Sequence, residues 1–149
     1  MSIKKTYQKK IELGLTFFKN ANYLKGLRKF KEAEKIEKKH FLVYWYLGHT
    51  HFKLYNYVEA IRCIKKSIEL KSKDILNLNF LAELYFANNQ YDRAISTLKE
   101  LQEQDKSNKE ALIILAKIHT NKGNFEEAIK NYNLILINEP SNYGVHYEL

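Results

Sequence analysis

The chain has 149 residues, 45% of them hydrophobic, with 25 Lys and Arg against 17 Asp and Glu for a formal charge of +8. That length is enough for one domain with a continuous core, and the single Pro and five Gly suit a chain that is almost wholly helical. Cys63 is the sole cysteine, which leaves no internal disulfide and fits a reducing compartment. No apolar run nears the length of a membrane span, and Met1 to Lys10 is polar and basic with no signal-peptide core behind it, so the expected location is the cytoplasm.

Ile3, Tyr7, Ile11, Leu15 and Phe18 recur at three- and four-residue steps, one face of a helix over residues 1–20. Lys4 and Lys5 occupy its first turn, where the helix dipole disfavours cations, so that end is expected to fray. After the turn Asn20-Ala21-Asn22, a second helix is predicted over about 23–39, with Leu27, Phe30 and Ala33 at helical spacing. The third runs from Phe41 to Lys53 and the fourth over 57–71. Asp74 is placed to cap the fifth, Ile75 to Ala87, by accepting from an amide of its first turn. Asn88-Asn89-Gln90 separates this from the sixth, Tyr91 to Gln104. Asn108 is the expected cap of the seventh, Lys109 to Asn121. Gly and Asn in Asn121-Lys122-Gly123-Asn124 tolerate left-handed backbone, making this the clearest turn in the chain. The eighth helix is predicted over 125–139 and stopped by Pro140. Ser141 or Asn142 then caps a ninth over 143–149.

These helices repeat. Leu13, Leu47, Leu81, Leu115 and Leu149 stand 34 residues apart, and Gly14, Gly48, Ala82 and Ala116 follow the first four. Gly26, Ala60, Ala94 and Ala128 form a column of small residues, and Phe30, Ile64, Leu98 and Tyr132 a column of large ones. No insertion interrupts them. A fixed period of this size marks a solenoid, in which each unit hides its apolar face against its neighbours.

The columns resemble the tetratricopeptide repeat family, whose pattern is aromatic-x2-Leu-Gly-x2-Tyr, then Ala, Phe and Pro. Tyr44, Leu47, Gly48 and Ala60 carry it in the second unit; Leu81, Tyr85 and Ala94 in the third; Leu115, Ala128 and Pro140 in the fourth; Leu13, Gly14, Phe17, Phe30 and Ala33 in the first. The sequence departs where Lys10 holds the first aromatic place and where His51 and His119 replace Tyr. The resemblance implies an all-α fold, a right-handed α–α superhelix of antiparallel helix pairs. It implies a single domain over 1–149 with repeats at about 7–40, 41–74, 75–108 and 109–142, and the start of a fifth at 143–149. The small column then lies where the two helices of a unit cross closely.

The resemblance also implies a function, a non-enzymatic scaffold that binds a protein or peptide. In the family the first helix of each unit lines the inner wall with its second, fifth, ninth, twelfth and thirteenth residues. Carried onto this chain, the apolar part of that wall is Ile11, Leu15, Phe18, Leu42, Trp45, Phe52, Leu76 and Phe86, with Lys19, His49, Lys53 and Asn79 among them. The last unit is polar, with Glu110, Lys117, Thr120 and Asn121. An aromatic groove centred on Phe18, Trp45 and Phe52 would take an amphipathic helix or extended peptide, with Lys19 and Lys53 at its rim for carboxylates. The plainer alternative is that several of these side chains pack between adjacent helices. Family members that clamp acidic chaperone tails need a Lys and Asn at the fifth and ninth places of one unit, followed by Asn, Lys and Arg in the next. Ile11/Leu15, Trp45/His49, Asn79/Glu83 and Ile113/Lys117 supply no such set, so no chaperone-tail binding is expected.

The charge is uneven. Residues 1–40 hold 12 Lys and Arg and 4 Glu, whereas residues 75–149 hold 7 Lys and Arg and 10 Asp and Glu. A basic end with Tyr and Phe interleaved suits nucleic acid or an anionic surface. Glu32, Glu34 and Glu37 interrupt the lysines of the second helix, however, and argue against a phosphate-binding face. No catalytic, cofactor or metal site is legible. His49 and His51 lie two apart and face different ways on a helix, Cys63 reads as a small core residue, and no metal or phosphate-loop motif occurs. Two readings of the C-terminal end stand open. In one, the chain is the targeting arm of a longer enzyme or assembly that continues past Leu149; in the other, the uncapped end pairs with another copy.

Overall fold

A computed structural model of the protein describes residues 2–71 and 74–138. Those residues form eight α-helices and no strand: α1 (Ile3–Lys19), α2 (Tyr23–Ile36), α3 (Phe41–Lys53), α4 (Tyr57–Leu70), α5 (Ile75–Ala87), α6 (Tyr91–Gln104), α7 (Lys109–Asn121) and α8 (Phe125–Asn138). The second helices begin at Tyr23, Tyr57, Tyr91 and Phe125, and helices α3, α5 and α7 at Phe41, Ile75 and Lys109, each 34 residues apart. The expected ninth helix and the stop at Pro140 lie outside the described residues. The chain divides into two compact units, Met1–Asn77 and Leu78–Leu149.

The turns inside the helix pairs show why the repeat keeps its length. Ala21, Tyr55, Asn89 and Gly123, 34 residues apart, all have left-handed backbone, with φ of 55°, 59°, 56° and 75°. The next residue's amide reaches back to the helix it leaves: Asn22 N–H to Phe17 C=O at 2.8 Å, Asn56 to His51 at 2.9 Å, Gln90 to Tyr85 at 2.8 Å and Asn124 to His119 at 2.8 Å. This is a Schellman closure, in which carbonyls at the helix end recover partners. The glycine turn anticipated at 123 is thus one of four, and the other three accept left-handed strain in a residue with a Cβ.

Predicted helix ends move at α1, which spans Ile3–Lys19 rather than 1–20, and at α2 and α4. Helix α2 stops at Ile36 rather than near 39, because Glu37 takes extended backbone (φ −134°, ψ 92°). Its carboxylate accepts from the Lys39 amide at 3.2 Å, and the Tyr44 hydroxyl donates to the Lys38 carbonyl at 3.0 Å. Those two bonds offer the segment an alternative to another helical turn. Helix α4 ends one residue early, with Lys71 as its extended cap. At the start of α1 the Ser2 hydroxyl caps the Lys5 amide at 3.3 Å, a stabilising feature the basic first turn had hidden. The caps at Asp74 and Asn108 form as expected, accepting from Asn77 at 2.8 Å and Ala111 at 3.0 Å.

In the first unit, α1 packs on α2, α2 on α3, and α3 on α4. Ile11, Phe30, Ala33, Val43, Tyr44, Leu47 and Cys63 make its core, with Tyr7, Leu15, Leu27, Tyr46 and Leu70 against it. Each large side chain fully buried here contributes about 1.5–3 kcal/mol. The pairs cross at their small residues. A Cβ on Gly14 would lie 2.5 Å from the Phe30 ring, one on Gly48 would lie 2.6 Å from Ile64 Cδ1, and one on Gly26 would lie 3.3 Å from the Gly14 carbonyl oxygen. Ala60 is fully buried in the same column as Gly26. Ser67, also buried, donates from its hydroxyl to the Phe41 carbonyl at 3.1 Å and fixes the start of α3 against α4.

In the second unit, α7 packs on α8 and α6 on α7. Leu112, Ala116, Ala128, Tyr132 and Ile135 form a core cluster, joined at its edge by Ile113 and Leu136. Lys122 pairs with Asp92 at 2.9 Å, and the Asn121 side chain donates to the Tyr91 hydroxyl at 3.3 Å, tying the end of α7 to the start of α6. Of the conserved-interval leucines, Leu47, Leu81 and Leu115 are buried, whereas Leu13 is 36% exposed. Leu47 packs against side chains of the preceding α2; no described helix precedes α1 to do the same for Leu13.

Candidate partner-binding face

The predicted wall residues of the first unit sit on α1, α3 and the first turn of α5, and the structure sorts them by exposure. Ile11 is 8% exposed and belongs to the core. Leu15 is half-buried against that core, and Phe18, Trp45, His49 and Phe52 are half-buried. Lys19 and Lys53 are exposed, as are Leu42 and Leu76. In the second unit, Asn79 and Phe86 are half-buried.

Trp45 is the α3 member of the first unit's set with the largest side chain. Helix α3 reads Phe-Leu-Val-Tyr-Trp-Tyr-Leu-Gly-His-Thr-His-Phe-Lys, apolar almost all round, so it has apolar surface left after Val43, Tyr44 and Leu47 enter the core. The Trp45 ring meets Tyr46 edge-on at 5.3 Å and lies 4.0 Å from the His49 ring, one turn on. Tyr46 in turn stacks on the fully buried Phe30 at 5.2 Å. The indole is therefore flanked by Tyr46, which packs on the core, and by His49, while part of it faces solvent.

Burial, with help from the Lys53 ammonium, pushes the His49 imidazole down to about 4, so it is neutral near neutral pH. His51, on the buried side, is lowered too, first by burial and then by Lys31. Burial raises the Cys63 thiol to about 11, which leaves it a thiol and an inert core group. Among the described residues, no cluster of three or more His, Cys, Asp or Glu is placed to hold a metal.

Sequence reasoning missed a second aromatic column. Tyr23, Tyr57 and Tyr91 open the second helices, and each meets a wall phenylalanine across the turn: Phe18–Tyr23 at 5.3 Å, Phe52–Tyr57 at 6.0 Å and Phe86–Tyr91 at 5.9 Å. The fourth unit has Thr120 and Phe125 at these places. The signal was available as two 34-residue columns five positions apart. Phe18 and Phe52 thus have ring contacts across the turn, whereas the ring contacts of Trp45 are with Tyr46 and His49 of its own helix.

Helix pairs of one length, closed by one turn type and crossing at small residues, define an all-α helical-repeat protein of the superhelical solenoid class. Residues 43–74 match the tetratricopeptide repeat family, and residues 66–133 match the family of anaphase-promoting complex, cyclosome, subunit 3. Residues 43–74 thus carry the sequence of a tetratricopeptide repeat, and the helix pairs on either side repeat its period and turn. No curated protein matches the sequence at a significant level. Among solved structures, MamA is similar at 18% identity and a TM-score of 0.81, over 93% of this chain and 81% of that one. A tetratricopeptide repeat protein from Parabacteroides merdae ATCC 43184 shows 18% identity and a TM-score of 0.85, over 95% of this chain and 56% of that one. YrrB, described as having an unusual peptide-binding site, shows 15% identity and a TM-score of 0.77, over 99% of this chain and 79% of that one. These likenesses establish the fold. The fold family is generally a non-enzymatic protein-interaction module, and no described helix is long and apolar enough to cross a membrane.

Proposed function

We propose that this protein is a protein-binding scaffold whose first unit takes an amphipathic helix or an extended peptide on the face formed by α1 and α3. The observation that carries this reading is Trp45, an indole fixed by Tyr46 and His49 yet half-open to solvent. Rigid, partly exposed Trp is the side chain most often found as an interface anchor. Leu15, Phe18, Leu42, Phe52 and Leu76 extend the apolar area, and Lys19 and Lys53 offer cations to partner carboxylates. Within the second unit, taken by itself, Asn79 and Phe86 are proposed partner contacts, and Ile11 supports the first unit's face from the core.

Selection of peptides from a random display library tests this, using the wild type and a Trp45→Ala/Phe52→Ala variant as bait. The reading expects an enriched peptide family that the variant fails to retain. Enrichment of the same peptides on both baits would overturn it.

A further inference from the structure

The outer sides of α2 and α4, both in the first unit, carry one arrangement twice. A shallow pocket of about 450 Å³ on α2 is lined by Leu24, Leu27, Arg28, Lys31, Glu32 and Lys35. One of about 320 Å³ on α4 is lined by Val58, Ile61, Arg62, Lys65, Lys66 and Glu69. The two are related by the 34-residue step: an exposed aliphatic residue (Leu24, Val58), a second aliphatic residue beneath (Leu27, Ile61), then an arginine and a lysine in the same register.

The repeat does not demand this. At the places of Leu24 and Val58 the later units have Asp92 and Glu126, and at the place of Arg28 and Arg62 the third unit has Ser96. Leu24 and Val58 are 71% and 68% exposed, so the fold gains little from either. Nor are the cations of the α2 pocket committed elsewhere. Glu32 is held by Lys10 at 2.6 Å and Lys29 at 2.9 Å, whereas Arg28, Lys31, Lys35 and Lys65 make no ion pair among the described residues. On α4, Arg62 pairs with Glu59 and Lys66 with Glu69, which makes the α2 pocket the stronger of the two.

We infer that this outer face, with the α2 pocket as its main site, docks an acidic amphipathic segment of a protein partner. Carboxylates of the segment meet Arg28, Lys31 and Lys35, and an aliphatic side chain rests on Leu24 and Leu27. Charge complementarity sets the sign of the partner. The aliphatic floor selects among anionic partners. A phosphate backbone has nothing to place on Leu24, while a flat lipid surface has no side chain to enter a discrete pocket. The site is separate from the Trp45 face on the first helices and binds independently of it.

The test is fluorescence anisotropy with a fluorescein-labelled peptide of repeated Leu-Glu-Glu, a matched peptide with Ser for Leu, a duplex oligonucleotide and phosphatidylserine vesicles as the four probes. The Leu-Glu-Glu peptide is expected to bind best at low salt and to weaken as ionic strength rises. Arg28→Glu/Lys31→Glu/Lys35→Glu should reduce its affinity by about tenfold or more. Leu24→Ser should reduce it severalfold. All of the substituted pocket residues are exposed, and far-ultraviolet circular dichroism verifies that the variants keep their helices. Absence of peptide binding at low salt would overturn the inference, as would equal binding of the Ser peptide or indifference to charge reversal. Tighter binding of the duplex or the vesicles would also do so, by replacing the acidic segment with nucleic acid or membrane.

Discussion

Gly14→Ala isolates the crossing of α1 and α2. The new methyl carbon would sit 2.5, 2.7 and 2.9 Å from three atoms of the Phe30 ring, which is fully buried and stacked on Tyr46. A ring pinned on its far side cannot retreat by a few tenths of an ångström, so the substitution overpacks the crossing at a cost of about 1–3 kcal/mol. Removing a helical glycine returns about 1 kcal/mol, and the net expectation is a loss of about 1 kcal/mol and at most about 2 kcal/mol. The chain itself suggests the rescue. Ala82 and Leu98 hold the corresponding places in the third repeat, and both are fully buried. Gly14→Ala with Phe30→Leu should therefore be more stable than the two single changes summed, with a coupling of about 1 kcal/mol. Urea titration followed by circular dichroism measures all four members of the cycle. A Gly14→Ala protein as stable as the wild type, or strict additivity in the cycle, would refute the reasoning.

Two further predictions concern the turns and titration. Ala21 holds left-handed backbone in an exposed turn, so Ala21→Gly should raise stability by about 0.5–1 kcal/mol while Gly123→Ala lowers it by a similar amount; denaturant midpoints that move the other way would contradict the turn assignment. His49 stays neutral in the fold down to about 4, held there by burial first and Lys53 second. Below about 6.5 the unfolded chain takes a proton that the folded one refuses. Stability is thus complete above that pH and declines as pH falls toward 4. His51 is lowered for the same leading cause and acts with the same sign, so His49→Leu should reduce the slope of stability against pH between about 6.5 and 4 without abolishing it; coincident slopes would count against a buried neutral His49.

Much of the fold was legible because the repeat acts as an internal alignment. Helix bounds at Phe41, Lys53, Ile75, Ala87, Tyr91, Gln104, Lys109 and Asn121 follow from hydrophobic spacing checked against its own copies. The end of α2 was not legible. Residues 37–39 are compatible with helix by propensity, and what stops it is the Glu37 carboxylate on the Lys39 amide and a tertiary bond from Tyr44. Left-handed turns at Ala21 and Tyr55 were hidden for a different reason: neither residue favours that backbone, and only their register with Gly123 points to it. The candidate site was readable as residue types at fixed places. Exposure was not, since it depends on which neighbours a helix meets. Ile11 and Trp45 occupy the same place in successive units, yet one enters the core and the other keeps a solvent-facing edge.

Trp45 is the only tryptophan in the chain, so fluorescence excited selectively in tryptophan, beyond tyrosine absorption, reports on the proposed binding face. Titration with a peptide selected on the wild-type protein should shift the emission to the blue and shield it from iodide. Trp45→Ala should weaken the same peptide by about 30-fold, equivalent to roughly 2 kcal/mol, with little change in the denaturation midpoint. Unchanged emission at saturating peptide, or a Trp45→Ala protein that unfolds, would place the indole in the core and contradict the account.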